Sequence, residues 1–207
     1  MCNRFVPPPT LGTIDDEIRQ LGLALAFPAG RPNLPPEYAI GDSPPVVLRP
    51  GAGVGAGLSL APMTWAWKGP GGKPVFNFRS DGRAFGSSER CLIPAAGFFE
   101  FTDAEPGHKR KTKWRFDLVD APWMWMAGVV RQGAFAILTT GPGPDVAPYH
   151  DRQVCVLAPG RGARSRPGGS GCRSGRRRGS GPAAQGGRRG MTPLIRRPVS
   201  GFATDRS

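Results

Sequence analysis

The chain changes character after Leu157, and that break limits what can fold. From Ala158 to Ser207 it holds 12 Arg and 12 Gly, no Lys, one acid (Asp205) and one aromatic residue (Phe202). Such a segment buries too little apolar surface to offset its chain entropy. Residues 1–157 are therefore expected to form the folded domain, and residues 158–207 a disordered or poorly packed tail. The formal charge of +13 divides accordingly, +11 on the tail and +2 on the domain. Two explanations of the tail compete. It is an Arg/Gly-rich nucleic-acid arm working by phosphate neutralisation, or out-of-frame translation of GC-rich DNA. The lack of Lys and the abrupt change after QVCVL favour the second.

Within residues 1–157 the pattern is β-rich. VFNFRS (75–80), GFFEFTD (97–103), KWRFDLVD (113–120), WMWMAGVV (123–130), AFAILTT (134–140) and QVCVL (153–157) are short aromatic or β-branched runs, the signature of strands. Turn-rich peptides such as DAEPGHKRK and GPGPD separate them. TIDDEIRQLG (13–22) reads as a short helix, with Thr13 as N-cap, acids in the first turn and Gly22 at the end. Residues 27–57 read as loop with at most short strands, and 87–90 as one helical turn. No βαβ alternation is present. The expected fold is α+β, a bent antiparallel sheet or open barrel with few short helices.

The four cysteines (Cys2, Cys91, Cys155, Cys172) form no CxxC pair and no metal-ligand spacing with His, so no metal and no cofactor is expected. No signal peptide and no apolar run long enough for a membrane span is present. A cytoplasmic protein with reduced thiols is expected.

Cys2 follows Met1 directly. Loss of Met1 exposes a 1,2-aminothiol, whose amine and thiol have reference pKa values near 8 and about 8.5. The amine condenses with an aldehyde, and the thiol closes a thiazolidine ring with the advantage of an intramolecular step. Only two histidines are present. His108 lies in a basic loop and reads as a surface residue. His150, in VAPYHDRQ, lies between two strands and has a catalytic reading if a nucleophile or carboxylate is near. Glu100 is flanked by Phe98, Phe99 and Phe101. Alternation puts it on the face of Phe98, facing solvent or acting as a partly desolvated proton-transfer group. Asn77 and Arg79 share a strand face and suit a sugar-phosphate, or form a polar outer face. Trp65 and Trp67 read as core ahead of base stacking.

MCNRF, FNFRSDGR, RCLIPAAGFFEF, WMWMAGVVR and LTTGPGPDVAPYHDRQVCVL, in this order, resemble the SOS-response-associated peptidase family, also called abasic-site-processing proteins. The resemblance covers roughly residues 1–157. It implies a cleft for single-stranded DNA and a covalent thiazolidine link between Cys2 and the ring-opened sugar of an abasic site, after Met1 is removed. Carried over by residue, Cys2 is the nucleophile and Asn77 orients its amine and the sugar. Glu100 transfers protons, and His150 assists ring opening and crosslink reversal. Arg4 and Arg79 are phosphate contacts. The expected partner is single-stranded DNA containing abasic sites. A monomer is expected, nucleoid-associated when bound to DNA. The family pattern has closing strands after Leu157, so an unpaired sheet edge is expected here. Two alternatives remain: an N-terminal-nucleophile peptidase or amidohydrolase, and a non-enzymatic nucleic-acid-binding protein acting through its Arg/Gly tail.

Overall fold

The computed structural model describes residues 1–49, 57–86, 88–104, 109–160 and 194–199. Ser87, His108, Cys172 and most of the tail lie outside the described residues. Two open sheets face each other. The smaller has the strand order Leu194–Pro198, Thr112–Leu118, Gly97–Thr102, Arg4–Val6, Tyr38–Ala39, all antiparallel. The larger runs Gln153–Val154, Ala134–Thr140, Met124–Arg131, Glu89–Ala95, Pro45–Leu48, Leu58–Pro62, Leu25–Ala26. The long strands pair antiparallel. Three short additions are parallel: Leu25–Ala26 on Leu58–Pro62, and Thr64–Trp65 and Asn77–Arg79 on Ala134–Thr140. Each has the long intervening chain that a parallel crossover needs.

The larger sheet is buried on both faces, which explains its near-continuous apolar strands. Cys91, Ile93, Met124, Met126, Phe135 and Ile137 point inward to meet Phe5, Phe98 and Phe116 of the smaller sheet. The alternate residues point the other way. There Val47, Leu60 and Trp125 pack under a helix, and Val129, Ala136 and Leu138 pack under Trp67, Phe78 and Phe85. Trp65 and Trp67 are both buried, on opposite faces of that sheet.

The helix is Gly12–Gln20, with Ile14 and Ile18 on its buried face. Gly22 follows in the left-handed region at φ 73°, as a chain-reversing glycine should. Thr13 is not the N-cap. Leu11 holds that place with no side-chain cap, and Thr13 Oγ1 donates instead to the Thr10 carbonyl at 3.1 Å. Residues 88–90 are not helical either. Glu89 opens a seven-residue strand paired in full with Met124–Arg131, and this ladder overrides the local turn signal. The unpaired edge expected after Leu157 is filled at one point. Leu194–Pro198 covers strand Thr112–Leu118, with Leu194 buried in the core. Its sequence, LIRRP, is a short apolar start followed by charges, which suits an outer strand.

Candidate functional site

The N-terminal strand brings Cys2 between the sheets. Phe5 pairs with Phe98 on one side and Tyr38 on the other. The chain preceding Phe5 is thereby drawn into the core, and Cys2 has no exposed surface. Gly97 permits the close approach at the start of the neighbouring strand. A Cβ there would lie 2.9 Å from the Phe116 carbonyl oxygen, so a larger residue would press this strand away from Thr112–Leu118.

Glu100 lies two residues beyond Phe98 on the same inward face, opposite Trp114. Its side chain is 1% exposed, so the solvent-facing reading is excluded. Its Oε2 is 3.1 Å from the Met1 ammonium, and neither carboxylate oxygen has a hydrogen-bond partner. Burial pushes the Glu100 pKa up to about 7, against the lowering effect of the ammonium. The same burial, with the Glu100 charge, raises the Cys2 thiol well above its ordinary value. A free terminal thiol with a usable thiolate fraction at neutral pH is therefore not what the fold presents. The sulfur is held as a thiol, 3.3 Å from the Arg4 carbonyl to which it donates.

Asn77 reaches the same point from the edge strand of the larger sheet. Its Nδ2 donates to the Cys2 carbonyl at 2.7 Å. Its Oδ1 is buried with no hydrogen-bond partner, as is Asn3 Oδ1. His150 completes the group from the connector after Ala134–Thr140, where its Nε2 accepts from the Met1 ammonium. Its Nδ1 faces the Arg152 backbone N–H at 2.9 Å and Asp151 Oδ1 at 2.8 Å. With Nε2 accepting from the ammonium, the neutral ring carries its proton on Nδ1, where Asp151 Oδ1 accepts it. Burial and the neighbouring ammonium lower its pKa, so the ring is neutral at neutral pH. Four residues far apart in sequence thus converge on the chain terminus: a buried thiol, a carboxyl raised to about 7, a neutral imidazole and an amide anchor.

Arg4 and Arg79 are placed otherwise. Arg4 alternates with Phe5 and faces the outer side of the smaller sheet. There its guanidinium pairs with Glu37 at 2.8 Å. Glu37 also takes Lys113 at 2.5 Å, whose ammonium sits 3.8 Å above the Phe99 ring. Arg79 is exposed, and shares its strand face with Asn77.

Asp81 and Arg152 were passed over in the sequence. Arg152 bonds Asp81 Oδ2 at 2.5 Å and the Thr139 carbonyl at 2.7 Å. Burial raises the Asp81 carboxyl, but bonds from Arg152 and Thr140 outweigh it and hold the carboxyl below the usual range. The pair ties the segment after Asn77 to the segment after His150. The signal was a charge of each sign beside two candidate residues, in FRSDGR and YHDRQ. Among the described residues no group of His, Cys, Asp and Glu is arranged to hold a metal ion. None of their helices is long and apolar enough to cross a membrane.

Comparison with solved structures supports the fold. A crystal structure of a Bordetella bronchiseptica protein from the Northeast Structural Genomics Consortium superposes with TM-score 0.56 at 19% identity, covering 77% of this chain and 85% of that one. A Bacteroides thetaiotaomicron protein from the same consortium gives TM-score 0.51 at 15% identity, covering 79% and 80%. No curated protein matches the chain. The family model described as SOS response associated peptidase (SRAP) matches residues 1–164. With that match extending over most of the chain, including all four residues gathered at the terminus, the protein belongs to the SRAP family and has a DNA-damage-associated function.

Proposed function

We propose that this protein captures abasic sites in single-stranded DNA through Cys2 once Met1 has been removed. The observation that carries the reading is the convergence of three side chains on the chain terminus: Asn77 donates to the Cys2 carbonyl, and Glu100 and His150 both meet the Met1 ammonium. Loss of Met1 makes the Cys2 nitrogen the terminal amine, one residue along from the ammonium that Glu100 pairs with. The amine adds to the C1′ aldehyde of the open sugar. Glu100, near pKa 7, protonates the departing hydroxyl, and water leaves as the imine forms. The Cys2 sulfur then bonds to the imine carbon. Its proton passes to the ring nitrogen, with the Glu100 carboxylate as relay. The raised thiol pKa makes this relay necessary, because a free thiolate is scarce at the buried sulfur. His150, neutral and next to the amine position, takes the ammonium proton that must leave before attack. The unpartnered Asn77 Oδ1 accepts from a sugar hydroxyl. A nucleotide lacking its base enters such a pocket with little unstacking cost.

The test is to incubate Met1-processed protein with single-stranded DNA carrying one abasic site, then run a denaturing gel. A covalent adduct is expected, and Cys2→Ala abolishes it. An adduct that persists in Cys2→Ala overturns the assignment. No adduct together with amide cleavage dependent on Cys2 replaces it with the amidohydrolase reading.

A further inference from the structure

The strand that carries Asn77 has a second face. Asn77–Arg79 is bonded only to Ala134–Thr140 among the described strands, so it forms an edge. Asn77 and Arg79 face one way and Phe78 the other. Around Phe78 the rings of Trp67 and Phe85 lie 6.0 and 6.1 Å away by centroid. Two guanidinium groups converge on this plate. Arg83 sits 4.8 Å and Arg131 4.9 Å from the Phe78 centroid, and Arg131 is 5.8 Å from that of Trp67. Both arginines are exposed. Neither forms an ion pair with a carboxylate among the described residues, Arg131 having instead a contact to Ser88 Oγ at 3.4 Å. Because both stack on one ring, their charges are no more than about 10 Å apart, within a Debye length at moderate salt. Two like charges at that distance, neither ion-paired among the described residues, attract an anion. Both guanidinium groups are exposed, and their fork of N–H donors matches phosphate.

We propose that Arg83 and Arg131, on the Phe78 plate, form a second docking surface for the phosphodiester backbone of single-stranded nucleic acid. The choice of nucleic acid over an acidic peptide rests on the reading given above. Phe78 lies between Asn77, which contacts the sugar in that reading, and the exposed Arg79, so a strand leaving Cys2 reaches Arg83 by rounding one short edge. The interleaving of aromatic rings with arginines is that of single-strand binding surfaces. The predicted role is to hold the strand beyond the lesion, with no part in bond formation.

Full-length protein is titrated with undamaged single-stranded DNA of about 16 and about 4 nucleotides, spanning the usual range of single-strand site sizes. Affinity is followed by fluorescence anisotropy across a salt series. The double variant Arg83→Gln, Arg131→Gln is expected to bind the long oligonucleotide more weakly. Its log K against log salt slope should shrink by about 1.4, or 0.7 for each lost phosphate contact. Binding of the short oligonucleotide should not change. Matching near-ultraviolet spectra establish that the variant is folded, and Arg83→Lys, Arg131→Lys should recover much of the slope. An unchanged slope overturns the proposal, as does equal loss at both lengths. Arginine-dependent binding of polyglutamate without arginine-dependent DNA binding also overturns it, in favour of an acidic partner. Because the DNA is undamaged, failure to form a covalent adduct leaves this result standing, and failure here leaves the Cys2 chemistry standing.

Discussion

Asn77 donates its side-chain N–H to the carbonyl of Cys2 at 2.7 Å, across 75 positions of sequence. The bond fixes the main chain of Cys2 independently of whatever happens at its nitrogen. Asn77→Ala is expected to cost about 1 kcal/mol of stability, the ordinary net value of one hydrogen bond. Its effect on adduct formation should be disproportionately larger. Asn77→Asp should be worse on both counts, since it sets a carboxylate oxygen against a carbonyl oxygen. Urea midpoints and single-turnover crosslinking rates measure the two effects separately.

Glu100 gives a pH dependence with a definite sign in the chain that retains Met1. Its folded value near 7 exceeds the ordinary 4.5. Between those values the folded state holds a proton that the unfolded state has lost. Stability from this group is thus full below pH 4.5 and is lost as pH rises through 7. The amount is about 3 kcal/mol at 1.36 kcal/mol per pKa unit. His150 works in the opposite direction below its ordinary 6.5, because its folded value is lowered. The comparison with Glu100→Gln isolates the carboxyl. That variant should gain stability relative to wild type as pH is raised from 5 to 8, and in the Met1-processed protein its crosslinking rate should fall. Urea melts at both pH values and crosslinking rates test this.

Asp81 and Arg152 join the two segments that carry Asn77 and His150. The pair is partly buried, so breaking it falls between the surface and interior cases. Asp81→Ala should cost about 2 kcal/mol. Freed from Asp81, Arg152 should hold the connector that carries His150 less firmly. With only two histidines in the chain, imidazole NMR signals can be assigned with one His150→Gln control. The His150 resonance should then shift in Asp81→Ala and the His108 resonance should stay in place.

The segment around Leu194 makes a separate prediction. Leu194 is buried, its N–H donates to Asp145 Oδ2 at 3.2 Å, and Arg196 lies 5.3 Å from the Tyr149 ring centroid, next to His150. Leu194→Ala should cost about 2–5 kcal/mol, as for other core leucines. Ending the chain before Leu194 should bare the Thr112–Leu118 edge and promote self-association. Light scattering on the shortened protein checks this, and the outcome against it is a scattering trace identical to that of the full chain.

Much of this site could be read from the order of residues, because the strands follow a period of two. Glu100 falls inward because Phe98 does, and Asn77 and Arg79 share a face because Phe78 takes the other. What local pattern does not encode is which strand lies beside which. The outward turn of Arg4 delivers its side chain to Glu37, more than thirty positions away, a pairing no local pattern encodes. Thr13 has the chemistry of a cap, but the helix begins earlier because Leu11 is required in the core beside Ile14. The high thiol pKa at Cys2 was equally out of reach. Position in sequence implies an open terminus, and only the pairing of Phe5 with Phe98 shows that the terminus is enclosed.

That enclosure has a further consequence for survival under oxidative stress. Peroxide attacks thiolates that are accessible and acidic, carrying them through sulfenic to irreversible sulfinic states. Cys2 has neither property, and Cys91 and Cys155 are buried as well. The oxidants that damage DNA would therefore find the sulfur shielded. Under such stress the enclosed thiol stays reduced, the one state from which any chemistry at the start of the chain must begin.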